Sequence, residues 1–288
     1  MESTKVGVVG LGTMGSGIAQ ICIEGGIETV GCDTSPALCE QARRQIADRI
    51  SRRVESGELD AMSRETAMAH LSLTTDMIDL AGCHFVVEAV FESLSLKQAL
   101  FQRLEKVVDA EAILATNTSA LSVTEIASAI VRSERVVGMH FFNPVTRMPL
   151  VEVVNAEQTG DRVVAQTVAL AERLGKRPIR CSDTPGFVVN RILLPLLNDC
   201  VRVLSETGVS IKDLDTAMQY GAGWPMGPAA LADLIGIDVI IGASQALYER
   251  LHDPRMAPSP RLVRMAAAGK LGRKSGRGFH SYAAKRQA

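Results

Sequence analysis

The sequence predicts an α/β domain built on a parallel sheet, followed by an all-α domain. Three observations predict it. A short apolar run ends in Gly10-Leu11-Gly12-Thr13-Met14-Gly15 and leads straight into a helical segment. Strand-like and helix-like segments then alternate through the first two thirds of the chain. Past the turn signal Asp183-Thr184-Pro185-Gly186, only helical periodicity remains. The expected domains are therefore 1–182 and 183–288.

The first strand begins at about Lys5, and each glycine after it has its own task. Gly10 allows a tight turn, Gly12 lets the backbone approach a pyrophosphate, and Gly15 lets the following helix pack closely. The helix N-terminus then offers free N–H groups to phosphates. A second strand, 28–32, ends at Asp33, where an acid suits the ribose 2′-hydroxyl of NAD. Thr34, Ser35 and Pro36 follow, with no Arg to hold a 2′-phosphate, which favours NAD over NADP. Together these features describe a Rossmann-type dinucleotide-binding domain.

Residues 35–70 read as a helical excursion from the sheet, broken at Gly57. Its arginines, among them Arg43, Arg44, Arg49, Arg52 and Arg53, form a solvated face in the simpler reading and an anion-binding face in the other. Further strands are expected near 71–74, 85–90, 112–116, 136–140, 150–154 and 178–181, with helices near 94–108 and 161–174. The second domain reads as helices near 187–205, 211–220, 228–251 and 259–268.

Composition narrows the function. The chain has 288 residues, is 47% hydrophobic and carries a net charge of −1, which gives no reason to expect nucleic acid as a partner. The six cysteines show no Cys-x-x-Cys spacing and read as buried, inert thiols. No His/Cys/carboxylate cluster has metal-ligand spacing, and no Gly-x-Ser-x-Gly elbow is present. No presequence and no apolar stretch of about 20 residues is seen, so the expectation is a cytoplasmic protein without a membrane partner.

Three segments fall at the C-terminal ends of expected strands: 88–92, Thr116-Asn117-Thr118-Ser119, and His140-Phe141-Phe142-Asn143-Pro144. Ligands of open α/β sheets bind in the crevice at those ends. His140 is the candidate acid/base, because an imidazole suits removal of a hydroxyl proton near neutrality. A lone histidine after a strand is otherwise a satisfied core residue. Glu152, on the next strand, is placed to bond the other ring nitrogen. Asn190, in the first turn of the helix that opens the second domain, either caps that helix or orients a ligand.

At this point the chain resembles the short-chain L-3-hydroxyacyl-CoA dehydrogenase family, nearly end to end. The likeness rests on GLGTMG (10–15), VVEAVFESLSLK (86–97), ATNTSAL (115–121), HFFNPV (140–145), LVEVV (150–154), DTPGFVVNR (183–191), GAGWPMGP (221–228) and GRKSGRGF (272–279). The resemblance implies His140 as general acid/base with Glu152 as its partner, and Ser119 and Asn190 as hydrogen-bonding groups for the reacting substrate oxygen. It implies NAD held by Gly10, Leu11, Gly12, Thr13, Met14, Gly15, Asp33, Glu92, Lys97, Ser119, Asn143 and Lys274. It further implies a short-chain acyl-CoA substrate, a homodimer formed through the helical domain, and an active site in the cleft between the domains. The chain departs from the family pattern at Ala120, Trp224 and His280, and across the arginine-rich excursion. That departure keeps other readings open: the same chemistry on an acyl group carried by an acyl carrier protein, a dehydrogenase of free hydroxy acids, and a catalytically silent dinucleotide-binding protein.

Overall fold

The glycine turn leaves β1 (Val6–Val9), four fully buried residues at the middle of a sheet, and enters α1 (Thr13–Glu24). In the computed structural model, which describes residues 4–282, the chain divides into two compact units, Met1–Phe187 and Val188–Ala288.

The sheet of the first unit has eight strands in the order β3-β2-β1-β4-β5-β6-β7-β8. β2 (Thr29–Cys32), β3 (Leu71–Thr74), β4 (Phe85–Glu88), β5 (Ile113–Thr116) and β6 (Val136–Phe141) join β1 in parallel. The sheet departs from parallel pairing at one edge. β7 (Leu150–Asn155) runs antiparallel to β6, and β8 (Arg177–Ser182) is parallel to β7. The reason is the connection: residues 142–149 join β6 to β7 without a crossover helix, and a direct turn reverses the chain. This reversal sets His140 opposite Glu152 in the strand register.

Both faces of the sheet are covered, as a buried parallel sheet requires. On one face Val8, Ile113, Ala115, Met139 and Phe141 pack with Ile18 of α1 and with Leu170 of α6 (Asp161–Arg173). On the other, Val86, Leu114 and Val136 pack with Phe101 and Leu104 of α4 (Leu94–Val107) and Ile126 of α5 (Val123–Ala127), a short helix not expected from the sequence.

The excursion forms α2 (Pro36–Glu55) and α3 (Ala61–Ala69), separated near Gly57, which has a left-handed φ of 76°. Ser35 caps α2 by accepting from the Leu38 N–H, and Pro36 fills the first turn. Cys39, Ala42, Ile46 and Ile50 form the helix's buried stripe. The solvated reading of the arginines is corrected at two positions. Arg49 Nε donates to Gln20 Oε1 at 2.7 Å, and Arg53 Nη1 to Glu24 Oε2 at 2.7 Å, tying α2 to α1.

The second unit contains α7 (Val189–Glu206), α8 (Ile211–Gly221), α9 (Pro228–Ile235), α10 (Ile237–Leu251) and α11 (Pro260–Ala267). The single helix expected over 228–251 is two. Gly236, at φ 106°, turns the chain by 90° between α9 and α10. Leu197, Val201, Ala232, Ile237, Ile240, Leu247 and Leu262 form this unit's core. Two buried aspartates organise it. Asp215 accepts from the Ala229 and Ala230 N–H groups at the start of α9 and bonds His280 Nε2 at 2.7 Å. Asp233 accepts from the Phe279 and His280 N–H groups and the Tyr282 hydroxyl. A Cβ on Gly278 would lie 1.9 Å from Asp233 Oδ1, so the glycine motif 272–279 serves this close approach. Among the described residues no single helix is long and apolar enough to cross a membrane.

Candidate active site

The glycine turn has the geometry that phosphate binding needs. Gly10 has a φ of 87°, and a Cβ there would also press on the Ala89 carbonyl. A Cβ on Gly15 would lie 1.7 Å from the Gly10 carbonyl oxygen, so only glycine lets α1 start this close to the turn. Gly12 differs: a Cβ there meets no protein atom within 4 Å. Protein packing does not demand glycine at that position, whereas a phosphate lying against the backbone does. α1 has no side-chain N-cap and no acid in its first turn, so its N–H groups are available to an anion.

Asp33 stands at the end of β2, next to the turn. One carboxylate oxygen accepts from the Leu11 N–H at 2.7 Å, and the other accepts from the Thr34 N–H and hydroxyl. The acid expected to meet a ribose thus also fixes the glycine turn, leaving lone pairs for a hydroxyl donor. Thr13 and Met14 occupy the first two positions of α1.

The ends of β4 and β5 are joined by a polar cluster. Glu92 Oε1 accepts from the Thr118 hydroxyl at 2.6 Å, the Ser119 N–H at 3.0 Å and the Ala120 N–H at 3.1 Å. Burial pushes the Glu92 carboxyl up, but Lys97 and these donors together hold it below the usual carboxylate range. Glu92 is therefore an anion that shapes the turn carrying Ser119, whose side chain is left exposed. Lys97 is fully buried, with its ammonium 2.6 Å from Glu88 Oε1 and 3.4 Å from Glu92 Oε2.

His140 and Glu152 come together as their strand positions require. His140 Nδ1 lies 2.7 Å from Glu152 Oε2, and both residues are buried. The Phe142 and Phe187 rings pack on the imidazole, with centroids at 4.6 and 5.6 Å. Phe187 holds an uncommon left-handed φ of 47°, which puts its ring at the histidine. Neither ring was identified from the sequence. Phe142 had a signal, since it follows His140 by two residues; a backbone outlier such as Phe187 leaves none.

Asn143 is exposed in the turn after β6. Asn190 and Lys274 belong to the second unit. Asn190 lies half-buried in the first turn of α7, and Lys274 pairs with Asp238 of α10.

Residues 5–184 match the model of the 3-hydroxyacyl-CoA dehydrogenase NAD binding domain, and residues 186–282 match that family's C-terminal domain. The chain belongs to the 3-hydroxyacyl-CoA dehydrogenase family. It is 40% identical over 280 residues to a 3-hydroxybutyryl-CoA dehydrogenase of Mycobacterium tuberculosis, covering 96% of this chain and 98% of that one. A probable 3-hydroxybutyryl-CoA dehydrogenase of Deinococcus radiodurans is 41% identical over 278 residues, covering 96% and 100%. The crystal structure of the (S)-3-hydroxybutyryl-CoA dehydrogenase PaaH1 from Ralstonia eutropha superposes with a TM-score of 0.94 at 39% identity, covering 98% of this chain and 100% of that one.

Proposed function

We propose that this chain interconverts short-chain (3S)-3-hydroxyacyl-CoA and 3-oxoacyl-CoA thioesters with NAD. The observation that carries the reading is the buried His140–Glu152 pair at the ligand-binding end of the sheet, in a chain of this family. NAD supplies the hydride acceptor at C3 when it is bound. With Nδ1 engaged by Glu152, the His140 Nε2 is the nitrogen that exchanges a proton with substrate. In oxidation Nε2 takes the hydroxyl proton, and the carboxylate stabilises the imidazolium that forms. In reduction the same nitrogen returns the proton to the oxygen. Ser119 and Asn190 donate hydrogen bonds to that oxygen as its charge grows. The Gly10–Gly15 turn receives the pyrophosphate and Asp33 the adenosine ribose. Glu92, Lys97, Asn143 and Lys274 lie against the cofactor.

We further propose a homodimer formed through the helical unit, supported by the exposed apolar side chains of Ile192, Leu234, Val239 and Val263. A cytoplasmic location is supported by six free thiols.

The test is NADH oxidation by the purified protein with acetoacetyl-CoA, with NADPH in parallel. Fast turnover with NADH is expected. His140→Ala should lower kcat by about 10²–10⁴. Intact NADH binding without turnover of the thioester overturns the substrate, and turnover that survives the His140 substitution overturns the acid/base assignment.

A further inference from the structure

Asn117 has no part in the reading above, yet its geometry gives it one. It is the first residue beyond β5. Its own N–H donates to the Glu88 carbonyl at the end of β4, at 2.8 Å. Its Oδ1 accepts from the Phe141 N–H, next to His140 on β6, at 2.9 Å. One residue thus ties the ends of three adjacent strands, by its backbone to β4 and by its side chain to β6. Phe141 N–H is only a donor, so this bond fixes which end of the amide is the oxygen. The NH2 end has no partner among the described residues, and it is not one of the buried polar atoms lacking one, so it is open to solvent. Ile113 and Ala115 pack in the core shared with Ile18 of α1, and Asn117 continues that alternation past the strand end. The free amide therefore belongs to the side of the sheet on which the glycine turn enters α1.

A dinucleotide laid over that turn has its adenosine half at Asp33 on β2, so its nicotinamide half falls over β4 and β5. We infer that Asn117 is a cofactor-binding residue: its NH2 donates to an acceptor oxygen on the nicotinamide half of NAD, while its carbonyl positions the strand that carries His140. The inference rests on the NAD site proposed above.

Two substitutions separate the two ends of the amide. Asn117→Asp keeps an acceptor for the Phe141 N–H and removes the donor. Asn117→Ala removes both. The measurements are NADH affinity by fluorescence titration without substrate, thermal unfolding, and kcat and KM for acetoacetyl-CoA. Both variants should bind NADH about 3- to 10-fold more weakly, the effect of one neutral hydrogen bond. Asn117→Ala should also lose kcat and unfold at a lower temperature than Asn117→Asp. The KM for acetoacetyl-CoA should hold in both. Asn117→Asp binding NADH within about twofold of the parent overturns the inference. A loss confined to the KM of the thioester also overturns it, by assigning the amide to substrate. If the unsubstituted protein fails to bind NADH, the failure lies with the NAD site itself.

Discussion

Lys97 and Glu88 form an ion pair at 2.6 Å, with neither side chain more than 1% exposed. Glu88 is otherwise satisfied by the Val90 N–H and the Thr116 hydroxyl, each at 2.7 Å. A carboxylate this deep is stable only while it keeps its partner, because removal of one ion leaves the other buried and uncompensated. Lys97→Met should therefore destabilise the protein by about 3–5 kcal/mol in urea unfolding. The double variant Lys97→Met/Glu88→Gln should recover part of that loss, since it buries no ion. Equal stability of the single variant and the parent would show that the pair is not a structural element.

Gly12 and Gly15 of the turn should respond differently to the same added methyl. Gly15→Ala forces a Cβ to within 1.7 Å of the Gly10 carbonyl and should lower the melting temperature even without ligand. Gly12→Ala meets no protein atom within 4 Å, and its φ of −64° suits any residue. It should fold with the parent's stability and lose NADH affinity. Thermal unfolding with and without NADH reads both effects, and a Gly12→Ala variant with unchanged affinity would remove this position from the pyrophosphate site.

What was legible in the sequence was what local pattern controls. The turn at 10–15, Asp33 at a strand end and Glu152 on the strand after His140 follow from short-range periodicity and strand-end position. The reversal of β7 lay in a connection too short for a helix, visible only once residues 142–149 are denied one. The break at Gly236 was hidden inside a continuous apolar run, because periodicity does not register a single left-handed residue. Lys97 entered through the family resemblance alone, and its buried pairing with Glu88 and Glu92 has no mark in the local pattern. Asn117 lies within the ATNTSAL motif, but its bond to Phe141 joins residues far apart in sequence and leaves no local mark.

The cysteines should be unreactive in the native protein. Burial pushes the Cys22 thiol up to about 12, and burial together with nearby carboxylates pushes Cys181 up to about 12. Cys32 and Cys83 are raised to about 11, again chiefly by burial. Since the thiolate is the nucleophile, native protein at neutral pH should resist iodoacetamide, and denatured protein should take up six labels. Rapid native labelling, read by intact mass, would show that the units carrying the labelled cysteines open more readily than their packing implies.

Glu152 provides the sharpest test of how the acid/base nitrogen is held. It is fully buried and meets the His140 Nδ1 at 2.7 Å. Glutamine has nearly the same shape, so Glu152→Gln should preserve the pairing of β6 with β7 and leave NADH affinity unchanged. It lacks the negative charge that favours the imidazolium, and its NH2 is able to donate to Nδ1 and hold the wrong tautomer. Either effect raises the barrier to proton transfer without touching ground-state binding. The expected result is a loss in kcat on the order of 10²-fold, with little change in the KM for acetoacetyl-CoA. A loss seen in KM instead would mean that Glu152 acts on substrate binding, and an unchanged kcat would mean that His140 needs no carboxylate behind it.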